Sequence, residues 1–189
     1  MTLDEAVQAH LDAIKATVES NSDTIGKLVT ALVDAYRGGG KLLICGNGGS
    51  AADAQHLAAE FMNRMHVERE PLPALALSTD TSVMTSVAND SAFELVYARQ
   101  VRALGRPGDV LIGLSTSGRS PNVLAALAAG RAAGLTTVGF TGECGSVPMA
   151  GTCDLLIVAR SCETPRIQEC HELIYHHVAA AVEAELVRR

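Results

Sequence analysis

Apolar side chains open the chain at helical spacing. Leu3, Val7, Leu11, Ile14 and Val18 recur every three or four positions, which gathers them on one stripe. Asn21-Ser22-Asp23 interrupts the stripe, and Ile25, Leu28, Leu32 and Tyr36 resume it. The pattern therefore predicts two successive helices, the second stopping at Gly38-Gly39-Gly40. A striped helix needs a cover, either its own domain or another subunit.

From Lys41 the pattern changes to short apolar runs: 42–45, 74–77, 110–113, 137–140 and 155–158. These runs are continuous rather than alternating, as in strands covered on both faces. Helical stretches fall at about 50–65, 91–104, 121–133 and 166–187. Thr164 followed by Pro165 is a helix-start signal for the last of them. Strand alternating with helix predicts a five-stranded parallel sheet in a three-layer αβα sandwich behind leading N-terminal helices. Ligands then belong at the carboxyl ends of the strands. Residues 1–189 read as one domain, with 1–38 as the leading helices and 41–189 as the αβα core.

Composition narrows the function classes. Hydrophobic residues make up 48% of the 189, yet no run approaches the roughly 20 apolar residues that cross a bilayer. The start, Met1-Thr2-Leu3-Asp4-Glu5, is acidic and unlike a secretion signal, so a cytoplasmic protein is expected. A net charge of −6 gives no general attraction for nucleic acid. The five cysteines (Cys45, Cys144, Cys153, Cys162 and Cys170) are odd in number and contain no Cys-x-x-Cys pair. That spacing argues against a disulfide framework and a structural zinc cluster.

Two predicted strands end in small, hydroxyl-rich turns leading into helices. The first is Cys45-Gly46-Asn47-Gly48-Gly49-Ser50; the second is Ser115-Thr116-Ser117-Gly118-Arg119-Ser120. Helix N-termini present unpaired N–H groups and partial positive charge, so they attract phosphate. Four hydroxyls in six residues make the second turn the stronger anion site. Neither turn matches a dinucleotide or nucleoside-triphosphate fingerprint. In the helix after the first turn, His56 and Glu60 share a face, as a metal pair or an acid/base pair requires. In the last helix, Glu172 and His176 are four apart, whereas Gln168 and His176 are eight apart, about 12 Å along the axis. Spacing alone therefore prefers Glu172 as the partner of His176. Asn89-Asp90 reads as a loop.

Together these motifs resemble the phosphoheptose isomerase family of sugar-isomerase (SIS) domains, over almost the whole chain. The resemblance is carried by 45–50, by His56 with Glu60, by Asn89-Asp90, by 115–120, and by Arg166-Ile167-Gln168-Glu169 followed by His176. It implies one zinc ion per subunit, held by His56, Glu60, Gln168 and His176, and so replaces Glu172 with Gln168. It implies substrate binding by Asn47, Gly48, Gly49, Glu60, Asn89, Asp90, Ser115, Thr116, Ser117, Ser120 and Gln168. Arg64 also matches a substrate-binding arginine of the family.

Further implications are a homotetramer with active sites at subunit interfaces, and interconversion of sedoheptulose 7-phosphate with D-glycero-D-manno-heptose 7-phosphate. Glu60 and His176 are the expected proton-transfer pair. Some members carry an Asp where this chain has Pro165, so a relay through that carboxylate does not carry over. Two other readings share the glycine and serine turns: a non-catalytic SIS scaffold that binds the replication initiator, and a sugar-phosphate sensor. Retention of all four zinc-type positions favours the enzyme.

Overall fold

The computed structural model describes residues 2–187. Five parallel strands, β1 (Leu42–Gly46), β2 (Ala74–Ala76), β3 (Val110–Leu114), β4 (Thr136–Gly142) and β5 (Leu155–Ala159), form one sheet in the order β2-β1-β3-β4-β5. Successive side chains of a strand enter opposite layers. Leu42 and Ile44 of β1 join the core under α1 (Leu3–Arg37), α2 (Gly49–Met62) and α7 (Thr164–Val187). Leu43 and Cys45 join the core under α3 (Thr81–Asp90), α4 (Val96–Leu104), α5 (Pro121–Ala132) and α6 (Ser146–Ala150). The αβα sandwich and its five-stranded parallel sheet are as the strand pattern predicts.

Three local expectations fail, each for a physical reason. α1 is one unbroken helix of 35 residues, not two. Asn21 does not stop it, because its side chain turns inward against the outer strand β5. There Nδ2 donates to Val158 O at 3.0 Å, and Oδ1 accepts from the Val158 N–H at 3.0 Å. Thr17 Oγ1 accepts from the Arg160 N–H at 2.8 Å, one helical turn earlier. Second, Asn89 and Asp90 are the last two residues of α3 rather than a loop. That segment is rich in Thr, Ser and Val, which are weak helix formers. Asp80 starts it nonetheless, its Oδ1 accepting from the Val83 N–H at 2.9 Å. Residues 91–95 hold a 3-10 turn instead of the predicted helix start.

Third, one disulfide does form. Cys144, just past β4, pairs with Cys162, just before α7, with their Cα atoms 5.4 Å apart. Spacing rules see only neighbours in sequence; here the fold brings two distant loops together. Cys45, Cys153 and Cys170 are buried free thiols.

Candidate active site

The order β2-β1-β3 places the reversal of strand order at the β1–β3 gap, where ligands of this architecture bind. The two hydroxyl-rich turns leave the carboxyl ends of those same two strands. A reciprocal amide pair ties them together: Asn47 Nδ2 donates to Asn122 Oδ1, and Asn122 Nδ2 to Asn47 Oδ1, both at 2.8 Å. Asn47, expected on the substrate, thus also sets the spacing of the turns. Asn122 is buried and was not singled out by any sequence motif. Tyr97, fully buried, fixes the first turn from below by donating to Gly46 O at 2.5 Å. Gly48 precedes α2 as its cap, and Gly49 is the first helical residue. A Cβ at Gly49 would collide with the amide of Gln168, so glycine is what lets α7 approach this turn.

The second turn is drawn into a ring. Ser115 Oγ and Ser120 Oγ are 2.9 Å apart, the Gly118 N–H donates to Ser115 O at 2.9 Å, and the Arg119 N–H to Ser117 Oγ at 3.3 Å. Gly118 has φ +61°, and a Cβ there would strike the Gly145 carbonyl. Among the described residues no acceptor takes the N–H of Thr116 or Ser117. These free donors, beside the N-terminus of α5, are the kind of groups that an anion takes.

Next to the first turn, α2 and α7 bring together His56, Glu60 and His176. One ligand-type atom from each lies within 4.8 Å of the others. His56 Nε2 is 3.3 Å from Glu60 Oε1 and 3.3 Å from His176 Nε2. Two ring nitrogens facing each other at that distance need a proton or a cation between their lone pairs. Two imidazoles and a carboxylate suit zinc, which accepts such donors with a fourth neutral oxygen. Gln168 offers an amide oxygen one helical turn before Glu172. Glu172 itself does not pair with His176: its Oε1 lies 3.7 Å from His56 Nδ1, on the other edge of that ring.

Other expected residues have their bonded partners outside this cluster. Asn89 and Asp90 are exposed and bond each other, Nδ2 to Oδ1 at 2.8 Å. Arg64 sits in the loop after α2 and pairs with Glu68. Asp53, one turn before His56, carries an Oδ2 that is buried without a partner among the described residues. Burial, then the charge of Glu172, push its carboxyl up to about 6, while His56 pulls the other way. Burial pushes the Tyr175 phenol up as well, helped by Asp53, Glu172 and Glu60. The signal for Asp53 was its three-residue offset from His56, which a search for metal spacing passes over.

A family profile described as SIS domain matches residues 6–142. A phosphoheptose isomerase of Roseiflexus sp. is 50% identical over 182 residues, covering 96% of this chain and 92% of that protein. One from Paramagnetospirillum magneticum is 50% identical over 182 residues, covering 96% and 94%. Among solved structures, phosphoheptose isomerase from Neisseria gonorrhoeae superposes with a TM-score of 0.88 at 38% identity, covering 97% of this chain and all (100%) of that one.

Proposed function

Because the chain belongs to the phosphoheptose isomerase family of SIS domains, we propose that it interconverts sedoheptulose 7-phosphate and D-glycero-D-manno-heptose 7-phosphate, in heptose biosynthesis. The observation that carries this reading is the convergence of His56, Glu60 and His176 beside the first turn, with an anion cradle on the adjoining strand.

Moving a carbonyl between C1 and C2 removes a proton beside a carbonyl and returns it one carbon away, through a cis-enediol. The step needs a base, an acid and stabilisation of a developing oxyanion. Glu60 and His176 are the proton-transfer pair. Ser115, Thr116, Ser117 and Ser120 hold the phosphate, so that remote binding energy orients the reacting end. Asn47, Gly48, Gly49, Asn89, Asp90 and Gln168 meet the sugar. A zinc ion held by His56, Glu60, Gln168 and His176 supplies Lewis-acid polarisation of the carbonyl when bound.

The proposed assembly is a cytoplasmic homotetramer with sites at subunit interfaces. Its support is the outward stripe of α1, where Leu3, Val7, Leu11 and Val18 are 80%, 49%, 54% and 43% exposed. Among the described residues no helix is long and apolar enough to cross a membrane.

The test is product formation from sedoheptulose 7-phosphate with zinc added and with zinc removed, for wild type and Glu60→Gln. Wild type should turn over, and the variant should lose about 10²- to 10⁴-fold, the usual share of a positioned proton-transfer group. Absence of turnover by zinc-replete wild type would sink the enzyme reading and favour a scaffold or sensor.

A further inference from the structure

The Cys144–Cys162 bridge closes beside the Ser115–Ser120 turn. The root of that turn is held by β4: the Ser115 N–H donates to Phe140 O at 2.9 Å, and the Gly142 N–H to Thr116 O at 3.1 Å. Its tip, Ser117-Gly118, rests instead on Gly145, the buried neighbour of Cys144. A Cβ on Gly118 would strike the Gly145 carbonyl, and a Cβ on Gly145 would meet the Ser117–Gly118 peptide and the Thr141 hydroxyl. No side chain separates the two backbones, so a shift of Gly145 passes directly to the tip of the turn.

The bridge is the strongest tie on Gly145 from the α7 side. Of residues 143–148 only Gly145 is buried, and α6, which follows, has five residues. Apart from the bridge, this segment is tied to the residues before α7 by the Glu143 N–H, which donates to Ser161 O at 3.0 Å, and by an ion pair of Arg160 with Glu143 at 3.5 Å. Both side chains of that pair are exposed, so it adds little. α7 is fixed independently by its own buried face, which includes Ile167, Cys170, Ile174 and Tyr175. Opening the bridge therefore loosens the 143–147 side and leaves Gln168 and His176 where they are.

Cys144 and Cys162 are both exposed, whereas Cys45, Cys153 and Cys170 are buried and burial pushes their thiols up. A soluble dithiol thus meets one reactive pair in this chain. In a reducing compartment, exposed bridges open and re-form rather than persist.

We propose that Cys144 and Cys162 are a redox-controlled pair of positioning residues for the Ser115–Ser120 turn. Closed, the bridge holds Gly145 under the tip of the turn; opened by a dithiol, it lowers affinity for the phosphorylated sugar and spares the proton-transfer groups. The proposal rests on the phosphate reading of that turn. A thiolate of the dithiol attacks one bridge sulfur, the S–S bond breaks, and the other cysteine leaves as thiolate. The second thiolate of the dithiol then displaces the first cysteine, giving a cyclic disulfide; two electrons and two protons have passed to the protein.

The test compares the intact, zinc-replete protein in three forms: oxidised, treated with a dithiol, and Cys144→Ser/Cys162→Ser. Thiol titration after unfolding should find three free thiols in the oxidised form and five in the reduced one. KM for sedoheptulose 7-phosphate should rise about 10-fold on reduction, the factor that one weakened hydrogen bond to a charged group costs. kcat should hold, and reoxidation should restore KM. The double variant should show the raised KM without the dithiol and no response to it, which separates opening of the bridge from capture of zinc by the dithiol. If that variant folds poorly, the reversible cycle in wild type carries the test. Phosphorus-31 NMR titration with inorganic phosphate should report the same loss of affinity and needs no turnover. Equal KM and phosphate affinity in oxidised and reduced wild type, or a fall in kcat at constant KM, overturns the proposal; so do five free thiols in the oxidised form. Phosphate affinity that follows the bridge in a protein without turnover supports the proposal and overturns the isomerase reading. Absence of phosphate binding and of turnover in both forms overturns both.

Discussion

Glu183 of α7 supports the far end of the helix that carries His56 and Glu60, and replacing it with Gln tests how. Its side chain is buried, and its two oxygens accept four bonds. Oε1 takes the N–H groups of His66 and Val67 at 2.7 and 3.1 Å; Oε2 takes the N–H of Met65 at 2.9 Å and Arg69 Nε at 3.0 Å. Arg69, also buried, donates onward to Glu60 O and Phe61 O, both at 2.9 Å, closing the C-terminus of α2. In Glu183→Gln one oxygen becomes an NH₂ facing two donors, and Arg69 loses its counter-charge. Two unpaired donors cost about 1–3 kcal/mol each, and a broken buried ion pair costs about 3–5 kcal/mol. These are two views of the same loss, so about 4 kcal/mol is expected. At about 2–4 °C per kcal/mol for a chain of this size, Tm should fall by roughly 10 °C.

The sign of the pH dependence follows from the carboxyl. Burial alone would raise it, but the three N–H donors and Arg69 outweigh burial and hold it below its ordinary value of 4.5. Its contribution is therefore complete above that value and lost as pH falls through the lower folded one. Urea unfolding followed by circular dichroism, at fixed protein concentration, should give a wild-type-to-variant gap that is flat from pH 8 to about pH 5 and narrows below. A gap under about 1 kcal/mol, or one that widens on acidification, would refute the network reading.

Three further outcomes can be checked together. Gly118→Ala puts a Cβ into the Gly145 carbonyl at a left-handed φ, and the displaced turn should raise KM for the phosphorylated sugar about 10- to 100-fold, since hydrogen bonds to charged groups are worth about 1.5–3 kcal/mol; an unchanged KM would remove the turn from phosphate binding. His171 is buried, and burial lowers its imidazole to about 4 despite a bond to Thr141 O. The unfolded chain binds that proton first, so stability should fall from about pH 6.5 towards pH 4, by up to roughly 3 kcal/mol at 1.36 kcal/mol per unit. His171→Phe should flatten that slope, and an equally steep slope would acquit His171. Reducing Cys144–Cys162, or Cys162→Ser, opens a loop of 18 residues, worth about 3 kcal/mol by chain entropy; calorimetry with and without a phosphine reductant should show Tm falling by about 6–12 °C. A Tm indifferent to reduction would mean the bridge constrains nothing.

The sheet was legible because its strands are short unbroken apolar runs between glycine turns, a pattern that leaves little choice of architecture. Both turns that end β1 and β3 were legible too, since their small hydroxylated residues have few uses other than close approach. What failed depended on partners far away in sequence. Asn21 looks like a break until Val158 is beside it, and Cys144 looks unpaired until the loop before α7 arrives. Glu172 shows the limit most sharply. Spacing says that it shares a face with His176, and it does, but the ring it meets is His56, whose position only the packing of α2 on α7 decides. Asp53 was missed for the same reason: its isolation is a property of its surroundings.

The contact of Asn21 with β5 has a consequence for how the protein behaves in a crowded solution. β5 is the last strand of the sheet on its side, and an open strand edge is a template that any other extended chain can join. Asn21 occupies both backbone groups of Val158, and Thr17 takes the next outward N–H, that of Arg160. Two poor helix formers in the middle of a long helix therefore act as a false neighbouring strand that ends the sheet. Their replacement by leucine would improve the helix locally and leave the edge adhesive. Part of the α1 sequence thus serves to close the edge of the sheet rather than to strengthen the helix.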